Sequence, residues 1–349
     1  RAARYLSSAI SDGSVNFRSA VLLLRDCAEA LQHLHSRGLI HGALLTSSIV
    51  QGDDERWILM NLASSSRFEK PVHGNMFLGC KPPEEYRAMR RVENDDERGL
   101  WLGRAPVAMA TRDVWAFGLV AFEVFTGRSL FRCDPTGNLA SKGESLRVGD
   151  WTLNNCLNAM HELDFELEVR EVGPRARLLS TDLVSSLLHP DPKHRPTSFE
   201  EVLHHCLLVK EKEMGPGVGS GRARGNSRAR RRTTHLVKAK WSMSSLHVSA
   251  ALGRVDIFND IDQSDMNTQD HVFEQSLLHV AALAGQTEVV KRLLDLAQEG
   301  MVDVNLKDGC GWPVVHAVLN LIEFALVKRQ TKKVEALTTI VDMIATHPK

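Results

Sequence analysis

A short apolar segment recurs near the end of the chain, and this recurrence restricts the possible folds more than any other feature. Residues 246–253 and 278–285 both begin with Leu-His and end with Gly, and the two segments lie 32 residues apart. A unit this short cannot bury its apolar face alone, so its copies have to stack on one another. The pattern predicts a helical solenoid over residues 241–349.

These segments resemble the first helix of the ankyrin repeat, T-P-L-H-x-A-A-x-x-G. Residues 303–311 resemble the D-V-N-x-x-D-x-x-G turn of that repeat, and they lead into a more divergent third unit. The resemblance implies about three units, which is the minimum for a stable stack. It assigns structural roles to Leu246, His247, Gly253, Leu278, His279, Gly285 and His316.

One histidine in each unit, His247, His279 or His316, invites a metal-binding interpretation. The ankyrin resemblance instead places all three at the internal hydrogen-bonding position of the repeat. We favour this structural role, and we expect no metal site.

Residues 213–240 are expected to be a flexible linker between two domains. The segment is rich in glycine and poor in apolar residues, and between residues 215 and 240 it has six arginines and two lysines but no acid. This tract could act in nuclear import or contact nucleic acid. No aromatic side chain interleaves its arginines, so a solvated linker is favoured and a nucleic-acid partner is the weaker alternative. The densest part of the tract is Arg228, Arg230, Arg231 and Arg232.

Residues 1–212 carry the three- and four-residue apolar spacing of helices. The pattern predicts a mainly α fold with two short strands near residues 48–50 and 57–60. The expected helices are 17–37 before Gly38, 114–126 before Gly127, 180–188 before Pro190, and one after Pro196 that is capped by Thr197 or Ser198.

Five motifs follow one another in this domain. They are L-H-x-x-G-x-I-H at 34–41, P-P-E at 82–84, D-V-W-A-F-G at 113–118, H-P-D-P-K-H-R-P-T at 189–197, and L-x-H-x-x-L at 203–208. Their order resembles the large lobe of a eukaryotic protein kinase. The resemblance implies the helical fold of that lobe for residues 1–212.

The positions that carry catalysis in that family are altered here. The catalytic loop H-R-D-L-x-x-x-N holds the base that accepts the substrate hydroxyl proton and an Asn that binds magnesium. In this chain the loop begins at His41, and the base position is Ala43, the later lysine position is Leu45 and the magnesium-binding Asn position is Ser48. Asn61 stands where the Asp of D-F-G would bind magnesium. The resemblance therefore implies a pseudokinase with no intact catalytic residue.

Residues with structural roles in the family are retained. Glu84 and Arg195 match an ion pair that ties the activation segment to the helical core, and Asp113 matches the acid that braces the catalytic loop. Trp115 and Gly118 complete the motif that begins at Asp113. We expect all five to support the fold.

No glycine-rich phosphate loop or strand lysine precedes these motifs, and the chain begins with Arg1, so we expect a fragment whose small lobe is missing. No cofactor is expected, because ATP and magnesium would need that lobe and an unusual site. Residues 85–106 exceed the usual length between their flanking motifs and are highly charged. They are interpreted as a solvated surface insertion rather than a docking loop.

The overall composition excludes few functions. Apolar residues make up 43% of the chain and the formal net charge is zero, so charge predicts no particular partner. Six scattered cysteines indicate free thiols, and no apolar run is long enough to span a membrane. We expect a protein of the cytoplasm or nucleus.

These features favour a non-catalytic signalling scaffold that binds a protein partner through the turns and concave face of its repeats. One rival is an active or weakly active Ser/Thr-type kinase whose small lobe lies upstream. The other is a nucleic-acid-associated protein that acts through the arginine tract.

Overall fold

The computed structural model describes residues 4–70, 78–94, 107–134, 136–209, 243–259 and 261–347. Across these residues the chain is mainly helical, which confirms the fold class expected from the sequence. The expected linker, residues 213–240 with the basic tract, lies outside the described residues. The same is true of residues 95–106 of the expected insertion.

The first part of the structure, residues 4–209, combines helices with short antiparallel strand pairs. Strand β3 pairs with both β1 and β4, and β2 pairs with β5. The strands are β1 (Arg4–Tyr5), β2 (Leu39–Ile40), β3 (Ile49–Gln51), β4 (Trp57–Leu59) and β5 (Ser66–Arg67). The helices are α1 (Leu6–Ser11), α2 (Phe17–His35), α3 (Pro83–Asn94), α4 (Ala110–Thr126), α5 (Lys142–Gly149), α6 (Leu153–Val169), α7 (Pro174–Leu187) and α8 (Phe199–Leu203).

Helix α4 forms the centre of this part of the structure. It is buried along nearly its whole length and packs against α2, α6 and α7. A helix that is apolar on all sides has to be surrounded by other elements. Gly118 permits the close approach of α7, because a Cβ atom there would lie 2.7 Å from Cδ2 of Leu188.

Several helix boundaries differ from the sequence expectation. Helix α4 begins at Ala110 rather than at 114, and α7 begins at Pro174 rather than at 180. Proline is favoured in the first turn of a helix, where its missing N–H has no partner to lose. Helix α6 was not predicted, although Thr152 and Asn155 form a reciprocal capping box at its start.

The interpretation of residues 85–106 as a solvated insertion is wrong at its beginning. Residues 83–94 form α3, in which Glu85 is buried and accepts a 2.6 Å hydrogen bond from Arg112. Arg87 donates to the backbone oxygens of Gly149 and Trp151 at 2.9 and 2.7 Å. Charged side chains can be buried when they are paired in this way, and the sequence pattern alone does not reveal the partners.

The second part of the structure, residues 243–347, stacks pairs of helices around a separate apolar core. Its elements are α9 (Ser245–Ala251), α10 (Gln263–Met266), α11 (Leu277–Leu283), α12 (Thr287–Gln298), α13 (Val314–Val327) and α14 (Thr331–Ala345). In the first unit the second helix is a short 3₁₀ helix, Val255–Asn259. Gly253 and Gly285 have φ values of 74° and 72°, a left-handed conformation that favours glycine after a helix.

The two parts of the structure pack directly on each other. Val272 and Phe273, from the turn before α11, belong to the apolar core of the first part, whereas Leu178 of α7 packs against the core of the repeats. Near the start of the repeats, the Met243 N–H donates to Asp182 at 3.1 and 3.2 Å. The turns and first helices of the repeats therefore face α6 and α7.

Polar contacts reinforce this interface along α6. Lys328, just after α13, lies 2.8 Å from Glu162 and 5.0 Å from the ring centre of Phe165. Lys333 of α14 lies 3.4 Å from Asp164. The rings of His161 and Phe324 are also in contact, with centroids 5.6 Å apart.

We expect Lys328→Glu to loosen the contact between the repeats and α6, because a carboxylate would replace the cation beside Glu162. The loss should be about 1–2 kcal/mol, because the ion pair is partly exposed and the contact with the aromatic rings is lost as well. Amide hydrogen exchange in residues 153–169 should become faster. Arg329→Glu makes the same charge change at an exposed neighbouring position and is the control. Equal exchange rates in the two variants would contradict the proposed role of Lys328.

Candidate functional site

The candidate site is the loop at residues 41–48, whose backbone is held in place by the carboxylate of Asp113. Oδ2 of Asp113 accepts from the backbone N–H of His41 at 2.6 Å, and Oδ1 accepts from that of Gly42 at 2.9 Å. Nε2 of His35, in the last turn of α2, lies 2.9 Å from Oδ2. Asp113 is 1% exposed, so these three contacts compensate for the loss of water around its carboxylate.

The ring of His41 contacts the backbone of its own loop and that of the residue after β4. Its Nε2 is 3.0 Å from the carbonyl oxygen of Met60, and its Nδ1 is 3.4 Å from the backbone nitrogen of Ala43. These contacts fit a tautomer in which Nε2 donates and Nδ1 accepts. The ring is fully buried and its polar atoms contact the backbone.

The conformation of the loop leaves no room for a side chain at position 42. Gly42 has a φ of 80°, and a Cβ atom there would lie 2.5 Å from the carbonyl oxygen of Ser64. The family motif has arginine at this position. The loop of this chain therefore depends on glycine for its close contact with the segment after β4.

Within the loop, the side chains at the family's catalytic positions offer no free polar group. Ala43 is fully buried and has only a methyl group, and Leu45 packs against the apolar core. The hydroxyl of Ser48 donates to the carbonyl oxygen of Leu45 at 2.7 Å and accepts from the Leu45 N–H at 3.0 Å. These backbone contacts engage the Ser48 hydroxyl within its own loop.

Asn61 lies apart from this buried network. It is exposed and adopts a left-handed conformation with φ of 62° and ψ of 53°, which asparagine tolerates better than most residues. It precedes a short 3₁₀ turn at Leu62–Ser64, in which Leu62 is 49% exposed. A single neutral amide at the surface is a weak ligand for a hard divalent cation.

Glu84 and Arg195 form a bidentate ion pair with both N–O distances at 2.9 Å. The guanidinium also donates to the carbonyl oxygen of His189 at 2.7 Å and lies 4.9 Å from the ring centre of Trp115. The Arg195 side chain is completely buried, whereas Glu84 keeps 31% of its side-chain exposure. The pair joins the start of α3 to the segment before α8 and to α4.

We expect Glu84→Ala to lower the free energy of unfolding by about 2–3 kcal/mol, because it leaves the buried Arg195 guanidinium without its carboxylate. Urea denaturation measures this change. Glu200→Ala removes an exposed carboxylate from α8 and should change stability by less than about 0.5 kcal/mol. Similar losses for the two variants would show that the ion pair has no special role.

Sequence reasoning missed two further polar pairs near the loop. Arg112 and Glu85 are both buried and form an ion pair at 2.6 Å, in which burial raises the pKa of Glu85 while Arg112 opposes the rise. The hydroxyl of Thr46 donates to Glu123 at 3.2 Å, and burial raises the pKa of that carboxyl. Arg112 directly precedes Asp113 in a buried helix. This position is the signal that could have identified Arg112 as a buried, paired residue.

Two of the recurring histidines connect successive repeats. Nδ1 of His247 lies 2.7 Å from the hydroxyl of Ser244, and Nε2 lies 3.0 Å from the carbonyl oxygen of Gln275. His279 repeats this arrangement, at 2.8 Å from the Ser276 hydroxyl and 3.1 Å from the carbonyl oxygen of Trp312. Each ring therefore links the cap of its own first helix to the turn of the next unit.

His316 departs from this pattern. Its side chain is exposed, so the expected internal hydrogen-bonding role is wrong at this position. Pro313 stands where the other units have the capping serine, so no hydroxyl is available to orient the ring. The turn before it still forms, with Asp308 N–H donating to the carbonyl oxygen of Trp312 at 2.9 Å.

We expect His279→Ala to destabilise the protein by about 2–4 kcal/mol, since it removes a buried ring and two hydrogen bonds. Burial lowers the pKa of His279, so the unfolded chain binds a proton at higher pH than the folded protein. The contribution of His279 is therefore complete above about pH 6.5 and is lost as the pH falls toward the folded pKa.

Denaturation of the wild type and the variant at pH 7.5 and 5.5 tests this prediction. His279→Ala should lose less stability than the wild type between these two values. The exposed His316→Ala should behave as the wild type does at both. A His279→Ala variant with the wild-type pH dependence would contradict the expected coupling.

Two features of the described residues bear on ligands and membranes. No cluster of three or more His, Cys, Asp or Glu side chains in the described ranges could hold a metal ion. Among helices in the same ranges, none is sufficiently long and apolar to cross a membrane.

Comparison with known proteins relates the chain to two groups. Residues 274–309 match the ankyrin repeat family. A mitogen-activated protein kinase of Caenorhabditis elegans, pmk-1, is 23% identical over 223 residues, which is 60% of this chain and 54% of that protein. The serine/threonine-protein kinases PLK4 of Drosophila virilis and Drosophila grimshawi are 21% and 22% identical over 193 residues.

The alignments cover only part of these kinases. The chain spans about half the length of the nematode protein, and about a fifth of each PLK4, while each PLK4 alignment covers 55% of this chain. These findings support an ankyrin repeat at residues 274–309 and a kinase-like domain in this chain.

Proposed function

We propose that this chain is a catalytically inactive, pseudokinase-like protein that acts in protein–protein interaction as a signalling scaffold. The observation that carries the proposal is Ala43, a buried methyl group at the position where the kinase resemblance requires the catalytic base. The contacts of Asp113 stabilise the backbone of this loop, but the loop has no side chain that could act as the catalytic base does in active kinases.

The size of the expected defect supports this proposal. A positioned general base contributes roughly 10²–10⁴-fold to a rate. Phosphoryl transfer depends further on the magnesium ions and cations that stabilise charge on the phosphates. Leu45, Ser48 and Asn61 replace the residues that would provide these charges or hold the metal. The combined loss is severe even though such effects are not additive.

The ankyrin repeat supports a role in binding protein partners. The packing of the repeats on α6 and α7 changes which surface of the repeats is available for that role. The sequence favoured the turns and concave face, and here α6 and α7 pack against the turns and first helices. The second helices α12 and α14 keep exposed charged side chains, including Glu288, Lys291 and Glu335. We assign partner binding to this outer surface, with the kinase-like domain as a platform that holds the repeats.

A phosphotransfer assay on the full-length product tests the loss of catalysis. With labelled ATP, magnesium and a general protein substrate, we expect no transfer above background and no thermal shift with nucleotide. Ala43→Asp alone should also remain inactive, because it restores the base position but leaves Leu45, Ser48 and Asn61 unchanged.

Robust transfer would contradict the proposal if it were abolished by Asn61→Ala. That residue is exposed, so its replacement is not expected to unfold the domain. Glu200→Ala serves as a matched surface control on the same domain. Transfer that survives both substitutions would indicate a contaminating kinase and leave the catalytic defect of this chain supported.

A further inference from the structure

A cavity of about 440 Å³ lies between the kinase-like domain and the repeats. Pockets of about 300–1,000 Å³ hold most small-molecule ligands, and they occur preferentially where two domains meet. Most of the interior surface is apolar, and both parts of the structure contribute to it. Its apolar side chains include Leu157, Met160, Leu178, Val280, Leu283 and Leu321.

One polar ring on the cavity wall lacks a hydrogen-bond partner. His161, on α6, makes a ring contact with Phe324, and its Nδ1 is buried without a partner. Burial, with a smaller effect of Lys333, lowers the pKa of His161 to about 4. The ring is therefore neutral near pH 7 and carries one donor and one acceptor. A buried polar group of this kind is normally satisfied by protein, water or ligand.

Most of the charged groups of the wall already have partners. Arg177 lies 3.5 Å from Asp164 and 3.2 Å from Glu168, and Lys333 also approaches Asp164. Asp182 accepts from the Met243 N–H, and Asp270 accepts three backbone N–H bonds at 2.9 Å. The remaining cation of the wall, Lys332, is exposed to solvent, so the interior of the cavity offers a charged ligand no unpaired countercharge, which favours an uncharged ligand.

We propose that this cavity binds an uncharged, mainly apolar small molecule that carries a carbonyl-type acceptor directed at His161. The apolar wall provides the burial that drives binding, and the imidazole N–H provides a directional contact. Because α6 and α7 form one wall and α11 and α13 the other, the ligand would contact both parts of the chain at once.

Two fluorescent dyes test the site in the full chain. Nile red is uncharged, apolar and carries a ring carbonyl, whereas diphenylhexatriene is a hydrocarbon without any acceptor. We expect saturable binding of Nile red with a blue shift and increase of its emission. Ala284→Trp places an indole on the cavity wall and should weaken Nile red binding at least about 10-fold by occupying the space. Ala88→Trp, at an exposed position of α3 outside this wall, should leave binding unchanged.

His161→Phe separates the polar contact from the cavity itself. The variant keeps a ring of similar size, so diphenylhexatriene should bind within about twofold of the wild type. Nile red should lose about 3- to 10-fold in affinity, which corresponds to one hydrogen bond. A circular-dichroism spectrum and urea midpoint close to those of the wild type would show that the variant is folded.

Three outcomes would overturn the proposal. Absence of saturable binding of either dye would mean that the cavity holds only water. Unchanged Nile red binding in Ala284→Trp would place the dye elsewhere on the protein. An equal loss of both dyes in His161→Phe would show that the imidazole has no role in recognising an acceptor.

Discussion

The loop at residues 41–48 depends on one buried carboxylate. Asp113 has lost nearly all contact with water, and it remains favourable in the core because two backbone N–H groups and the His35 ring surround it. Removing any of these partners would leave a buried charge poorly compensated. The same interaction fixes the relative positions of α2, the loop and α4, and all of its donors are independent of the side chain at position 43.

This independence means that the loop conformation does not require a particular side chain at position 43. The backbone of His41 and Gly42 supplies the donors to Asp113, so an alanine at position 43 disturbs none of them. The Ser48 hydroxyl is engaged by the Leu45 backbone and stabilises the loop. Arg195, Glu84 and Trp115 form a second structural unit, which is held together by a bidentate ion pair and a cation–ring contact.

The packing of the repeats on α6 and α7 alters how the second part of the chain should be understood. Phe273 belongs to the core of residues 4–209, while Leu178 packs against the core of the repeats, so each part completes the apolar surface of the other. An ankyrin array usually offers its turns to a partner protein. Here the same chain already occupies much of that side, and the incomplete fit leaves the cavity lined by His161.

The sequence alone determined the mainly helical fold, the end of α4 at Gly127 and the 32-residue repeat that contains His247 and His279. These features depend on local spacing or on residue types with few conformational alternatives, such as glycine in a left-handed turn. Tertiary structure decided the burial of Glu85, the hydrogen bonds of Arg87 to a distant backbone segment, the exposure of His316, and the contact between α6 and the repeats. Their physical cause is the availability of a partner: a charge or an imidazole is buried only where another segment provides a matching group, and sequence spacing does not specify which distant segment that is.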